Sequence, residues 1–116
     1  MIVDDRLVIC GSANINDRSL LGKRDSEIAV LIEDEEFIDA SMDGETVEVG
    51  KYGSSLRKYL FSEHLGLLPD QSPCDGGDWV AVTDVDLTDP ISDQFYNDVW
   101  IATSQSNTKI YEEVIK

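Results

Sequence analysis

The sequence predicts an α/β fold, on three observations. Two short and continuous apolar runs, Leu7 to Cys10 and the apolar part of Glu27 to Ile32, read as strands buried on both faces. Leu56, Tyr59, Leu60 and His64 then recur at helical spacing. Phe95, Val99, Trp100 and Thr103 repeat that period further on, followed by Ile110, Tyr111, Val114 and Ile115.

Taken in order, Leu7 to Cys10 is the first strand, and it ends in Gly11-Ser12-Ala13-Asn14. Asn14 to Leu20 reads as a loop with one helical turn, for which Asn14 or Asn16 supplies the cap. Glu27 to Ile32 is the second strand. Glu33 to Asp43 reads as an acidic surface connection with one turn around Phe37 to Ala40, and Asp43-Gly44 marks a tight turn. A helix follows from Gly53 or Ser54 to Leu65, with Ser54 or Ser55 as its N-cap and Gly66 as its stop. Its Arg57 and Lys58 read as solvated helix charge.

Gly66 to Leu87 is rich in Pro, Asp and Gly and reads as a long surface loop, with Trp79 to Val82 as a short strand inside it. The cluster from Asp75 to Asp78 lacks the alternating oxygen ligands and terminal Glu of an EF-hand, so no metal is assigned to it. Asp89-Pro90 opens the next helix, capped by Asp89 or Ser92, and a further helical piece begins at Asn107.

With 116 residues, 41% of them apolar, the chain is one domain at most, burying about two-thirds of its unfolded surface. The net charge of −15 is unevenly spread. From Met1 to Ser26 four acids face four bases, whereas Glu27 to Gly50 holds nine acids and no base. Such a surface repels nucleic-acid backbones and anionic lipids, so no nucleic-acid partner is expected. No stretch reaches the roughly 20 apolar residues of a membrane span, and the early charges at Asp4 and Asp5 speak against a secretory signal. A cytoplasmic location with reduced thiols is the expectation. Cys10, in a buried strand, and Cys74, in the loop, make a weak case for a disulfide and none for zinc. No cofactor is implied.

The first strand's exit is where the chemistry concentrates. Small and polar residues there place backbone N–H groups, a hydroxyl and an amide at the sheet's carboxyl edge, where open α/β sheets bind ligands. Gly11 permits close backbone approach or positive φ, and a capped helical turn favours an anion. A phosphate cradle and plain turn chemistry are both consistent with that spacing.

The run Gly11-Ser12-Ala13-Asn14-Ile15-Asn16-Asp17-Arg18-Ser19-Leu20-Leu21-Gly22-Lys23-Arg24-Asp25-Ser26-Glu27-Ile28-Ala29-Val30 resembles the second catalytic motif of the phospholipase D superfamily in its lipid-cleaving eukaryotic form. That superfamily carries a signature of the His-x-Lys-x4-Asp-x6-Gly-Ser-x-x-Asn type, the HKD motif, and Asn14 follows Gly11-Ser12 one residue earlier than the Asn written in it. Gly11-Ser12 aligned on its Gly-Ser pair puts the signature Asp on Asp4, with six residues between. The likeness continues more loosely through Ser55-Leu56-Arg57, Glu63-His64-Leu65-Gly66 and Asp89-Pro90-Ile91-Ser92-Asp93. The signature's Lys and His would fall two and four residues before Met1, and His64, the only histidine, does not match that position.

The resemblance implies part of an α-β-α sandwich: an incomplete second catalytic half, with residues 1–66 as the partial motif region and 67–116 as loop and helices of its extension. It implies a hydrolase, a phosphodiesterase of lipid degradation that turns phosphatidylcholine-type lipids into phosphatidic acid and a headgroup alcohol through a phosphohistidine, without metal. Each half of such an enzyme supplies a His and a Lys; one His attacks phosphorus and the other protonates the leaving alcohol. By the same resemblance, Asn14 donates its amide to a phosphate oxygen, Ser12 donates its hydroxyl or backbone N–H, and Gly11 completes the cradle. Glu27 orients a catalytic imidazole, because a carboxylate opening an apolar run needs a partner. Asp4 is structural, pairing with nearby backbone or with Arg18 or Arg24.

The implied partners are a phospholipid, the missing catalytic half, and a membrane surface met peripherally through regions not present here. On this reading the chain is a C-terminal piece of such an enzyme and inactive alone. The alternative is a non-catalytic regulatory fragment that pairs with a complete first half; a phosphatidyltransferase or nuclease of the same superfamily fits less well.

Overall fold

The strand expected at Leu7 to Cys10 is the centre of a small antiparallel sheet. The computed structural model describes residues 1–68 and 85–115, and in it β1 (Ile2–Val3), β2 (Leu7–Gly11) and β3 (Ala29–Glu33) lie in the order β1-β2-β3. Val8 faces Ile2 on one side and Ile32 on the other, and Gly11 faces Ala29. Asp4 and Asp5 make the β1–β2 turn at φ 51° and 50°, a left-handed conformation that Asp tolerates better than most residues.

Between β2 and β3 lies one helical turn, α1 (Asp17–Leu20), capped by Asn16, whose side chain accepts from the Ser19 N–H. Of the two capping candidates, Asn16 is the one used. The acidic segment after β3 differs from its expected form: it is a hairpin of β4 (Phe37–Met42) and β5 (Glu45–Gly50). Asp43 and Gly44 turn it at φ 54° and 78°, which suits a two-residue hairpin loop.

Helix α2 (Lys51–His64) begins before the expected Gly53 or Ser54, and neither Ser54 nor Ser55 caps it. The capping group is the Asp34 carboxylate, which accepts from the N–H groups of Tyr52 and Gly53 at 3.0 and 2.8 Å. Gly66, at φ 70°, ends the helix as expected. The inward face also differs: Gly53, Ser54 and Arg57 are buried, whereas Tyr59 and His64 are exposed.

After residue 85 the chain runs into a π-helical stretch, Phe95–Ile101, that continues as α3 (Ala102–Val114). Ser92 caps its start by accepting from the Phe95 N–H, and no break occurs at Asn107. The expected strand at Trp79 to Val82, the Asp75 to Asp78 cluster and Cys74 lie outside the described residues.

The chain divides into two units. One comprises Met1–Ile38 and Val49–Arg57; its buried apolar residues are Val8 and Val49. It also buries an ion pair of Arg57 with Asp5, so Arg57 is not the solvated charge expected from its place in the sequence. The other comprises Asp39–Glu48 and the described residues from Lys58 onward, and is centred on Phe61, Phe95 and Trp100, whose rings lie 4.9 to 6.3 Å apart. In it, the carboxylate of Asp89 accepts from the N–H groups of Asp43 and Gly44 and from the Ser41 hydroxyl, a different use from the expected helix cap.

β3 is not the doubly buried strand its apolar run predicts: Val30 and Leu31 are 58% and 62% exposed. Cys10 is likewise exposed. Among the described residues no helix is long and apolar enough to cross a membrane.

Candidate functional site

The residues of the β2 exit and those before β3 close on one another. Ser12 donates its backbone N–H to the Ile28 oxygen at 3.0 Å, extending the β2–β3 pairing past Gly11. Gly11 is required here for close approach: a Cβ would lie 2.6 Å from both the Ala29 Cβ and the Ile28 oxygen. Its freedom serves strand against strand.

Glu27 therefore arrives beside the β2 exit. Its two carboxylate oxygens accept from two serine hydroxyls, Ser12 at 2.5 Å and Ser19 at 2.6 Å. Each serine also accepts a backbone N–H, Ser12 from Ile28 at 3.1 Å and Ser19 from Asn14 at 3.0 Å. The hydroxyl of Ser12 first, and that of Ser19 second, hold the Glu27 carboxyl below its ordinary value by stabilising the anion. The group is exposed, and each of its oxygens retains a second acceptor site for an N–H donor from outside.

Ser12, Asn14, Asn16, Arg18, Ser19, Asp25 and Glu27 line an open cavity of about 420 Å³. The Asn14 amide reaches the Ser12 oxygen at 3.4 Å, a long contact that uses one of its two N–H groups. Both donors of Ser12 are engaged, the N–H with Ile28 and the hydroxyl with Glu27, so the structure puts Ser12 to work on Glu27.

Arg18 donates its Nε to Asp25 at 2.8 Å, and the Asp25 N–H donates back to the Arg18 oxygen, closing the loop that carries Gly22 at φ 65°. Of the partners expected for Asp4, which were nearby backbone, Arg18 or Arg24, Arg18 is paired with Asp25, and Asp4 is an exposed turn residue. The carboxylate that does pair is its neighbour Asp5, with Arg57. His64 is in the other unit, its ring set edge-on to Trp100 at 6.4 Å. Among the described residues no cluster of His, Cys, Asp or Glu has the geometry of a metal site.

Sequence reasoning missed Ser19. Its signal was present in the spacing, since Asn16 caps the turn at Ser19 and thereby aims the Ser19 hydroxyl back at the loop.

A family model described as Phospholipase D matches residues 1–111. Phospholipase D zeta 1 of Arabidopsis thaliana is 51% identical over 115 residues, covering 98% of this chain and 9% of the relative. Phospholipase D2 of Bos taurus is 47% identical and Phospholipase D1 of Homo sapiens 43%, each covering 100% of this chain and 11% and 10% of the relative. The chain thus spans about a tenth of the length of the curated relatives it matches.

Proposed function

Because the chain belongs to the phospholipase D family, we propose that it supplies half of a phosphodiester-cleaving site that acts on phosphatidylcholine-type lipids and releases phosphatidic acid and a headgroup alcohol. Residues 1–66 are the partial second motif of an α-β-α sandwich and 67–116 its extension. The observation that carries this reading is Glu27: an exposed carboxylate, its proton affinity lowered and both oxygens held, lining a cavity together with Asn14.

In this half-site Glu27 accepts the N–H of an imidazole belonging to the enzyme's other residues. That fixes the ring's tautomer, leaves its second nitrogen to attack phosphorus or to protonate the leaving oxygen, and stabilises the imidazolium as it forms. A carboxylate of lowered proton affinity suits the task, because it does not take the proton from the ring. Asn14 donates its remaining amide N–H to a non-bridging phosphate oxygen, where charge persists through the displacement. Ser12 and Gly11 shape this cradle rather than touching the phosphate: Gly11 admits β3, and β3 brings Glu27 to Ser12. Water resolves the phosphohistidine.

The chain alone lacks the His-x-Lys that this chemistry needs, so it is inactive by itself. Association with the rest of such an enzyme is supported by Ile28, Val30 and Leu31, all well exposed beside the half-site. Membrane attachment, peripheral and on the cytoplasmic side, is left to other regions. To test the reading, the chain replaces the matching segment of the Arabidopsis thaliana relative that is 51% identical to it. Choline release from phosphatidylcholine vesicles by this chimera, and none by the 116-residue chain alone, is the expected result. A well-folded chimera without turnover, or turnover by the isolated chain, overturns it.

A further inference from the structure

We propose that Ser19 is a positioning residue of this half-site, holding the carboxylate of Glu27 and the main chain of Asn14 in one fixed relation through a single hydroxyl. The inference rests on the role given to Glu27 above and adds a residue to it.

The Ser19 hydroxyl has one proton to donate, and the proton goes to Glu27 Oε1 at 2.6 Å. Its oxygen meanwhile accepts the Asn14 N–H at 3.0 Å. The hydroxyl is therefore a relay between the residue that faces phosphate and the residue that faces imidazole. Its own position is set by its backbone, because the Ser19 N–H is held by the Asn16 side chain at 3.1 Å. Asn16 also donates its backbone N–H to the Asn14 oxygen at 2.9 Å. Thus Asn14, Asn16 and Ser19 form a closed loop of hydrogen bonds, with Glu27 hung from its corner.

Geometry makes two serines necessary where one would leave play. A carboxylate gripped on one oxygen swings about its terminal torsion, which is a broad and shallow one. With Ser12 on Oε2 and Ser19 on Oε1, both edges of the plane are pinned, and the remaining acceptor sites point in set directions. Ser12 holds Glu27 from the residue just past β2; Ser19 holds it from α1 and carries Asn14 with it. Loss of Ser19 thus misaligns both functional groups together without removing either. A displacement of about 1 Å at a reacting group is enough to slow turnover by about 100-fold.

Two measurements test this, the second independent of whether the half-site turns over lipid. In the chimera, Ser19→Ala lowers kcat by roughly 10- to 100-fold with KM changed less than about 2-fold, while Ser19→Thr, which keeps the hydroxyl, recovers most of the loss. In the 116-residue chain, carboxyl NMR titration shows the Glu27 midpoint rising in Ser19→Ala and staying in place in Ser19→Thr, with the Asn14 amide resonance moving only in Ser19→Ala. An unaltered Glu27 titration and Asn14 amide in Ser19→Ala overturn the inference, as does unaltered kcat in an active chimera. If the unsubstituted chimera releases no choline, the reading of the whole site fails, and the titration still decides the role of Ser19.

Discussion

Arg57 and Asp5 form a buried ion pair, the Arg57 Nε lying 2.9 Å from both carboxylate oxygens, with side chains 7% and 3% exposed. The pair fastens α2 to the β1–β2 turn in company with two backbone features. The Gly50 N–H donates to the Asp5 oxygen at 2.9 Å, and a Cβ on Gly53 would come within 2.6 Å of that same oxygen. One aspartate thereby seats the first turns of α2.

Removing one partner strands the other charge away from water. Arg57→Ala is expected to destabilise the chain by about 3–5 kcal/mol, read as a fall in urea midpoint or loss of the cooperative transition. The double substitution Asp5→Asn with Arg57→Met costs less than Arg57→Ala, because no unpaired charge remains and Asn keeps the left-handed turn. If the single variant unfolds at the unsubstituted midpoint, the pair is not the fastening described.

Asp34 caps α2 from outside the helix, with both carboxylate oxygens on its first N–H groups. Asp34→Ala is expected to cost about 0.5–2 kcal/mol. The Lys51–Glu36 pair nearby is a useful contrast: it lies in solvent, which screens it, so Glu36→Ala leaves the midpoint nearly unchanged.

Gly11→Ala drives a methyl group into Ala29 and the Ile28 oxygen. The strands must part to admit it, at a cost of about 1–3 kcal/mol. Because β3 delivers Glu27 to Ser12, the same substitution should also break the Ser12–Glu27 hydrogen bond. Loss of the lowered Glu27 titration midpoint in Gly11→Ala checks this.

Local signals were legible in the sequence and distant ones were not. The strand at Leu7, the turn at Asp43-Gly44 and the stop at Gly66 each depend on a few neighbouring residues and are legible from them, whereas the choice between Asn14 and Asn16 as cap is made only by the structure, in favour of Asn16. β4 and β5 were hidden by charge: Val47 and Val49 alternate after the turn, yet the surrounding acids resemble a solvated connection. The start of α2 depends on Asp34, 18 residues before Tyr52, and the burial of Arg57 on Asp5, 52 residues away. Nothing within the helix announces either. At the site, the resemblance points to Glu27, while the tie of Glu27 to Ser19 needs the fold of the intervening loop.

Asp89 supplies a pH dependence. Backbone N–H groups of Gly44 and Asp43 foremost, joined by the Ser41 hydroxyl, hold its carboxyl below the ordinary value. A carboxyl lowered by folding stabilises the fold above its unfolded pKa, and that contribution disappears as pH falls through the folded value. Hydrogen exchange of the Asp43 and Gly44 amides should therefore be protected at neutral pH and lose protection in acid. Asp89→Ala should abolish the difference; equal protection in both proteins at neutral pH would refute the account.

The central claim is that Glu27 orients a catalytic imidazole, and the steady-state rate of the Glu27→Gln chimera tests it most directly. Glutamine keeps the shape but replaces one acceptor oxygen with a donor and removes the charge that stabilises the imidazolium. The account predicts a fall in kcat of about 10²- to 10⁴-fold on phosphatidylcholine vesicles, with the fold intact by circular dichroism. A folded Glu27→Gln chimera that keeps kcat within about 2-fold of the unsubstituted one would contradict it.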